Sequence, residues 1–243
     1  YIIRAPQGHT SGSVYNGTFF GIPNSGTLTT PIVIGVSNLN LIGNPYPSAL
    51  DADLFLSNAL NSNVVDGTIY LWTHNTPIAA NNYNPADYAY YNYSGGTGAG
   101  TPALGTNNTT PTGKIASGQG FFIEGINAGG NATFMNSMRA IGGNDNFYRS
   151  TATSQTSSLS SSLERNRVWL DIFNTTGAYK HTMVGYIQNA TNDYDRGFDG
   201  KNLDVGNQVN LYSFVGETKL GIQGKALPFS DSDIIPLGYK STV

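Results

Sequence analysis

Gly118-Gln119-Gly120-Phe121-Phe122-Ile123-Glu124-Gly125-Ile126-Asn127-Ala128-Gly129-Gly130-Asn131-Ala132-Thr133-Phe134-Met135 is the run on which the fold assignment turns. Two short stretches of aromatic and β-branched residues flank an Asn/Gly cluster, a pattern that predicts strands near 119–125 and 131–136 with a turn between them. A weak echo lies at the start of the chain, where Tyr1-Ile2-Ile3-Arg4 is followed by Gly17-Thr18-Phe19-Phe20. Two similar hairpins of one sandwich would produce it, and so would coincidence.

The same punctuation recurs along the whole chain. Strands are predicted near 1–4, 14–20, 28–34, 38–42, 68–73, 87–93, 167–174, 179–187, 208–214, 217–225 and 234–239. A single helix is predicted over 48–60, with Ser48 as its cap behind Pro47, Asp51 and Asp53 at its positive end, and Leu50, Leu54, Phe55 and Leu60 on roughly one face. Periods long enough for solenoids or propellers are not seen. The expected class is all-β, as two consecutive antiparallel β-sandwich domains.

Composition narrows the function classes. Of 243 residues, 39% are hydrophobic and only 11% charged, against about 25% in an average soluble domain. The net charge of -3 and the lack of a basic run leave no electrostatic footprint for nucleic acid or an anionic membrane. No apolar stretch approaches the roughly 18 residues of a transmembrane segment. Without cysteine, disulfides, thiolate metal sites and thiol catalysis are excluded. The chain opens on Tyr1 with neither signal peptide nor initiator Met, and is read as a fragment or processed product.

The Ser/Thr-rich segment Ser150 to Ser162 is too polar to bury itself and reads as a linker over 150–165. Charge density changes across it: residues 1–150 hold 4 basic and 6 acidic side chains, residues 151–243 hold 8 and 9. Two modules are therefore expected, 1–149 and 166–243.

Motifs for chemistry are few. His9, His74 and His181 have no second ligand at helical or hairpin spacing and read as structural. Gly98-Ala99-Gly100-Thr101-Pro102-Ala103 satisfies a dinucleotide-loop pattern, but Pro102 and the Asn/Thr-rich stretch after it forbid the helix such a loop must open. Asp193, Asp195 and Asp199 have a D-x-D-x-x-x-D spacing suited to calcium. Phe198 sits where a calcium loop needs Gly, and Arg196 and Lys201 offset the charge, so an acidic β-turn without metal is the competing reading. Calcium is the one cofactor the sequence offers. Asp51 and Asp53 lie two apart on the helix and read as capping, while Glu124 could meet Asp66 or Asp87 only after folding. Nothing here predicts an enzyme.

Aromatic residues form the other candidate site. Tyr88, Tyr90, Tyr91 and Tyr93 cluster after Trp72, among Asn and Asp side chains that suit stacking on sugars with amides taking the hydroxyls. Strand alternation puts Tyr91 and Tyr93 on one face and Tyr88 and Tyr90 on the other, so packing between sheets is the alternative.

The run Asn40-Leu41-Ile42-Gly43-Asn44-Pro45-Tyr46-Pro47-Ser48-Ala49-Leu50-Asp51-Ala52-Asp53 resembles a segment of large cell-surface proteins secreted by the type IX system of Gram-negative bacteria. Leu71-Trp72-Thr73-His74-Asn75-Thr76, Asp87-Tyr88-Ala89, Ile115-Ala116-Ser117-Gly118-Gln119-Gly120-Phe121-Phe122 and Asn144-Asp145-Asn146-Phe147-Tyr148-Arg149 resemble motifs that follow in the same order. Beyond the linker, Asn166-Arg167-Val168-Trp169-Leu170, Val184-Gly185-Tyr186, Gly197-Phe198-Asp199-Gly200 and Gln223-Gly224-Lys225-Ala226-Leu227-Pro228-Phe229 resemble the start of that system's C-terminal sorting domain. The resemblance implies an immunoglobulin-like second domain, incomplete at its end, and a secreted, surface-displayed, non-catalytic adhesive module whose partner is the outer-membrane secretion machinery. Two alternatives stay open. One is a carbohydrate-binding module of a secreted hydrolase, with glycans as partners. The other is a fibre subunit completed by β-augmentation between neighbouring copies, with Tyr1 to Pro6 as donor strand.

Overall fold

A computed structural model describes residues 7–8, 10, 16–18, 20–72, 88–98, 110–144, 165–174, 178–204 and 206–242. The expectations for Tyr1 to Pro6, His9, His74, Asp87 and linker positions 150–164 lie outside these residues. The elements are β1 (Leu28–Ile32), β2 (Leu39–Gly43), β3 (Leu50–Asp51), α1 (Ala52–Ser57), β4 (Val65–Trp72), β5 (Tyr88–Asn92), β6 (Gly95–Thr97), β7 (Lys114–Ile115), β8 (Gly120–Gly125) and β9 (Gly130–Phe134). They are followed by β10 (Arg165–Phe173), β11 (Tyr179–Ile187), β12 (Gly200–Lys201), β13 (Val209–Val215), β14 (Thr218–Ala226) and β15 (Leu237–Ser241). The all-β sandwich-like class is borne out.

The run from Gly118 to Met135 does not make a hairpin. Strand β8 enters a five-stranded sheet of order β2-β8-β4-β5-β6, whereas β9 leaves it and pairs with β1, Phe134 opposite Leu28. Gly129 and Gly130, at φ 76° and 147°, let the chain turn out of the sheet plane where a side chain would be strained. Phe55 of α1 then fills the space between the two strands, edge-on to Phe121 of β8 at 5.8 Å and stacked on Phe134 of β9 at 5.0 Å. Ile32, Ile42, Leu50, Leu56, Ile69, Leu71, Ile115 and Ile123 complete this core.

The helix is shorter than predicted and is capped by a different residue. Residues Leu50 and Asp51 are held extended by pairing with Ile115 and Lys114 of β7. The helix therefore starts only after Asp51, whose Oδ1 accepts from the Leu54 amide at 3.1 Å. Ser48 serves elsewhere, its hydroxyl accepting from Arg139 Nε.

Asn44, in the Asn-Pro-Tyr-Pro segment, ties the corner before α1 to the strand behind it. Its buried Nδ2 donates to the carbonyls of Ser48, Ile115 and Ala116, and its Oδ1 accepts from the Tyr46 amide. Tyr46, equally buried, donates its hydroxyl to the Gly26 carbonyl at 2.6 Å. This motif builds a corner of the fold.

Residues after 164 form a six-stranded sheet of order β10-β11-β14-β13-β15, with β12 also on β14. One pair, β11 with β14, is parallel. Strand β4 shows how the sheets are arranged: Val65 through Leu71 are all buried, because both faces of the five-stranded sheet are covered. One face meets the core around Phe55. The other carries Tyr70 and Tyr90, which pack with Met183 of β11 and Ile222 of β14. Gly221 permits this approach, since a Cβ there would fall 2.3 Å from the Tyr90 ring.

Asn44→Ala would leave buried carbonyls and the Tyr46 amide without their partner, each loss costing about 1–3 kcal/mol before relaxation. A net destabilisation of about 3 kcal/mol is expected in urea unfolding followed by tryptophan fluorescence. Asn44→Asp should be as damaging, because it removes the donors.

Candidate functional site

The predicted aromatic site is divided by the fold. Tyr90 and Tyr91, 1% and 2% exposed, cannot stack on a ligand. The Tyr90 hydroxyl accepts from Lys180 Nζ at 2.9 Å and the Leu203 amide at 3.1 Å, and the Tyr91 hydroxyl donates to Asp53 Oδ1. Tyr93 is half-buried against Phe198, and burial pushes its hydroxyl pKa up to about 12. Trp72 and Tyr88 remain near the surface as a cross-strand pair of β4 and β5, Trp72 37% exposed and Tyr88 half-buried edge-on to Phe122. Tyr91 and Tyr93 lie on the face that meets the Phe55 core and Tyr88 and Tyr90 on the face that meets the second sheet, as strand alternation implies, and both faces are covered.

The acidic turn uses its carboxylates on its own backbone. Asp199 is fully buried, accepting from the Asp195 amide at 2.7 Å and the Gly224 amide at 2.8 Å. Asp195 Oδ2 accepts from the Thr191 amide, and Asp193 is exposed. Thus the three carboxylates read as calcium ligands do not converge, and among the described residues no group of three acidic or histidine side chains could hold a metal ion. Burial raises the Asp199 pKa to about 7, against the two amide hydrogen bonds and with the charges of Asp195 and Asp66 adding to the rise.

Glu124 and Asp66, joined in sequence reasoning only as a possibility, do meet. Lys201 of β12 lies 2.9 Å from Glu124 Oε1 and 3.5 Å from Asp66 Oδ2, and the Tyr194 hydroxyl donates to Asp66 at 2.8 Å. Burial works against the Lys201 charge, but Glu124 and Asp66 outweigh it and hold its pKa above the usual lysine value. One ammonium thus joins strands β4 and β8 to the second sheet. Thr68, Asn92 and Ser94 extend the seam: Thr68 and Ser94 donate their hydroxyls to the carbonyls of Asp199 and Phe198, and Asn92 Nδ2 also donates to Phe198. Separately, His181 contacts Asp171 across β10 and β11, with the Tyr179 hydroxyl also donating to Asp171.

An apolar groove lies on the six-stranded sheet, at residues that the sequence reading did not single out. Val168 and Leu170 of β10, Val184 and Tyr186 of β11, Phe229 and Leu237 line a groove of about 370 Å³ on the six-stranded sheet. Tyr186 is fixed there by a hydrogen bond to Asp233 and an edge-on contact with Phe229. The consecutive apolar residues Val168, Trp169 and Leu170 of β10, together with the apolar positions after 226, are the signal that could have found it.

Residues 1–243 match a family described as a domain of unknown function (DUF8693), and the chain belongs to that family. The match runs across the segment read as a linker. No curated protein matches the chain. No solved structure matches it either. Among the described residues no helix is long and apolar enough to cross a membrane.

Asp199 carries a pH signature with a definite sign. Its native pKa of about 7 lies above the unfolded value near 4, so between these limits the native state keeps a proton that the unfolded state releases. Stability from this group is therefore present below about pH 4 and falls as pH rises to about 7, by up to about 4 kcal/mol. Denaturant melts across that range should show it. Asp199→Asn should flatten that slope and, by facing its amide toward a backbone N–H, destabilise the protein by about 1–3 kcal/mol at pH 7.

Proposed function

We propose that this chain is a non-catalytic module of a secreted, surface-displayed protein, and that the sheet after residue 164 is the face read by a type IX secretion apparatus. The observation carrying this reading is the asymmetry of that sheet. One face is anchored on Tyr70 and Tyr90, while the other presents an apolar groove with Val168 at 52% and Leu237 at 48% exposure. Exposed apolar surface rimmed by polar residues, here Ser230, Asp231 and Asp233, is suited to docking. Tyr90, Tyr91, Asp66 and Asp199, groups that could have served chemistry, are engaged in holding the layers together, which agrees with a display role. The resemblance of Asn166–Leu170 and Gln223–Phe229 to a sorting domain points the same way.

The test is surface exposure of the full-length protein in the bacterium that makes it, measured by protease shaving of intact cells. Val168→Lys with Leu237→Lys, placed on exposed positions, is expected to leave the protein folded but retained beneath the outer membrane. Undiminished display of this variant, and of one lacking residues 165–243, would rule the reading out.

A second reading rests on the Trp72 and Tyr88 pair, adjacent aromatic side chains at the end of β4 and β5 that suit a sugar face. In a glycan-array screen, Trp72→Ala is expected to weaken binding about tenfold, equivalent to about 1.4 kcal/mol, while the buried Tyr91→Phe leaves it unchanged. Absence of any glycan bound by the native protein would remove this reading.

A further inference from the structure

In the seam between the sheets, three strands hold an amine and two carboxylates within reach of one another. Lys201 of β12 donates from Nζ to both oxygens of Glu124 on β8, at 2.9 and 3.0 Å, and the same Nζ lies 3.5 Å from Asp66 Oδ2 on β4. The Asp66 and Glu124 side chains are 4% and 19% exposed. Tyr194 donates its hydroxyl to Asp66 Oδ2 at 2.8 Å, and its ring lies 5.9 Å from Lys201 Nζ. An ion pair needs only two of these groups. Amide formation uses all four: a nucleophilic amine, a carboxyl carbon, a group that carries protons between them, and a donor at the oxygen where charge gathers.

We propose that Lys201 and Asp66 condense to an amide, a covalent brace between β12 and β4, with Glu124 as the catalytic proton carrier. Burial works against the Lys201 charge, but Glu124 and Asp66 outweigh it, so the cluster rests as an ammonium between two carboxylates. One Nζ proton passes through Glu124 to Asp66 Oδ1, leaving a neutral amine and a carboxylic acid. The Nζ lone pair then forms the N–C bond to Asp66 Cγ, while the C=O pair moves onto Oδ2, where the Tyr194 hydroxyl meets the new charge. Burial, with the Asp66 charge beside it, holds the Tyr194 pKa well above the usual tyrosine value, so this hydroxyl stays a donor. Glu124 takes a second proton from the nitrogen and gives it to the Oδ1 hydroxyl. The Cγ–Oδ1 bond breaks, the pair on Oδ2 restores the carbonyl, and water leaves. Ammonium and carboxylate have become one amide and one water, with net charge unchanged and Glu124 again a carboxylate.

In open solution the two ions would stay apart, but fixed orientation can supply effective concentrations of about 10⁵ M and above. The fold fixes each partner independently of the ion pair. Asp66 lies within the buried run of β4, Gly200 and Lys201 pair with β14, and the Tyr70 hydroxyl donates to the Lys201 carbonyl at 3.3 Å. The chain has no cysteine, and this link joins its sheets without an oxidant. Like a disulfide, it constrains the unfolded chain. The inference is independent of both functional readings.

Mass spectrometry of the intact, denatured chain should find it lighter than its sequence by one water, and a protease digest should yield a branched peptide joining the Asp66 and Lys201 segments. Lys201→Arg keeps a cation between the carboxylates without a nucleophilic amine and is expected to show the full sequence mass. Lys114→Arg, at the separate Asp51 pair, should still lose the water. Glu124→Gln is expected to slow linkage about a hundredfold or more, read as the linked fraction over time in freshly refolded protein. Where circular dichroism shows that this variant does not fold, Tyr194→Phe takes its place, slowing linkage while Lys201, Asp66 and Glu124 remain. A native chain of full sequence mass, a water loss that maps to other residues, or linkage that runs unslowed in the folded variants would each overturn the proposal.

Discussion

The fold depends on a buried layer shared by two sheets. Tyr70 and Tyr90, opposite each other on β4 and β5, are edge-on at 5.0 Å and close against Met183 and Ile222 of the second sheet. Their hydroxyls are satisfied across the same boundary, Tyr90 accepting from Lys180 and Leu203, and Tyr70 donating to the Lys201 carbonyl. A tyrosine buried in this way contributes ring area to the core, yet it requires a polar partner that only the other layer supplies. Each sheet is therefore part of the other's core. A single family spanning residues 1–243 is consistent with that dependence.

Charge is handled in the same manner. Only 11% of the residues are charged, and several sit where they cost the most. Asp66 and Asp199 are 3% and 0% exposed. Asp66 is balanced by Lys201 and Tyr194, and Asp199 by two backbone amides. Buried ions without partners are far more costly than these pairs, so the seam between the sheets tolerates little substitution. The close backbone approach of Gly67 to Gly197, where a Cβ would come within 2.6 Å of an amide nitrogen, belongs to the same seam. Both functional readings thus place recognition at the periphery, on the groove face or on the Trp72 and Tyr88 pair, away from these groups.

Strand existence was legible from the chain wherever Val, Ile, Tyr and Phe ran between Gly, Asn and Pro: the predicted strands at 28–34, 38–42, 119–125, 179–187, 208–214 and 217–225 are all present within a few residues. Short pairings such as Leu50–Asp51 with Lys114–Ile115 were not, because two residues carry no periodicity. The Ser48 cap was displaced to Asp51 for that reason. In the candidate sites, residue chemistry was legible and exposure was not: Tyr90, Tyr91 and Asp199 have the right groups for a ligand, but the fold turns them inward.

By itself the sequence determined the class of the fold, the absence of thiol chemistry and the positions of most strands, since alternation, turn residues and composition act over a few residues at a time. Tertiary structure decided which strands meet, that β8 and β9 part company, that Asp66 and Glu124 share Lys201, and which aromatic rings stay within reach of solvent. Those outcomes depend on contacts between residues as far apart as Thr68 and Asp199, and no local pattern encodes which of many compatible faces will close on one another.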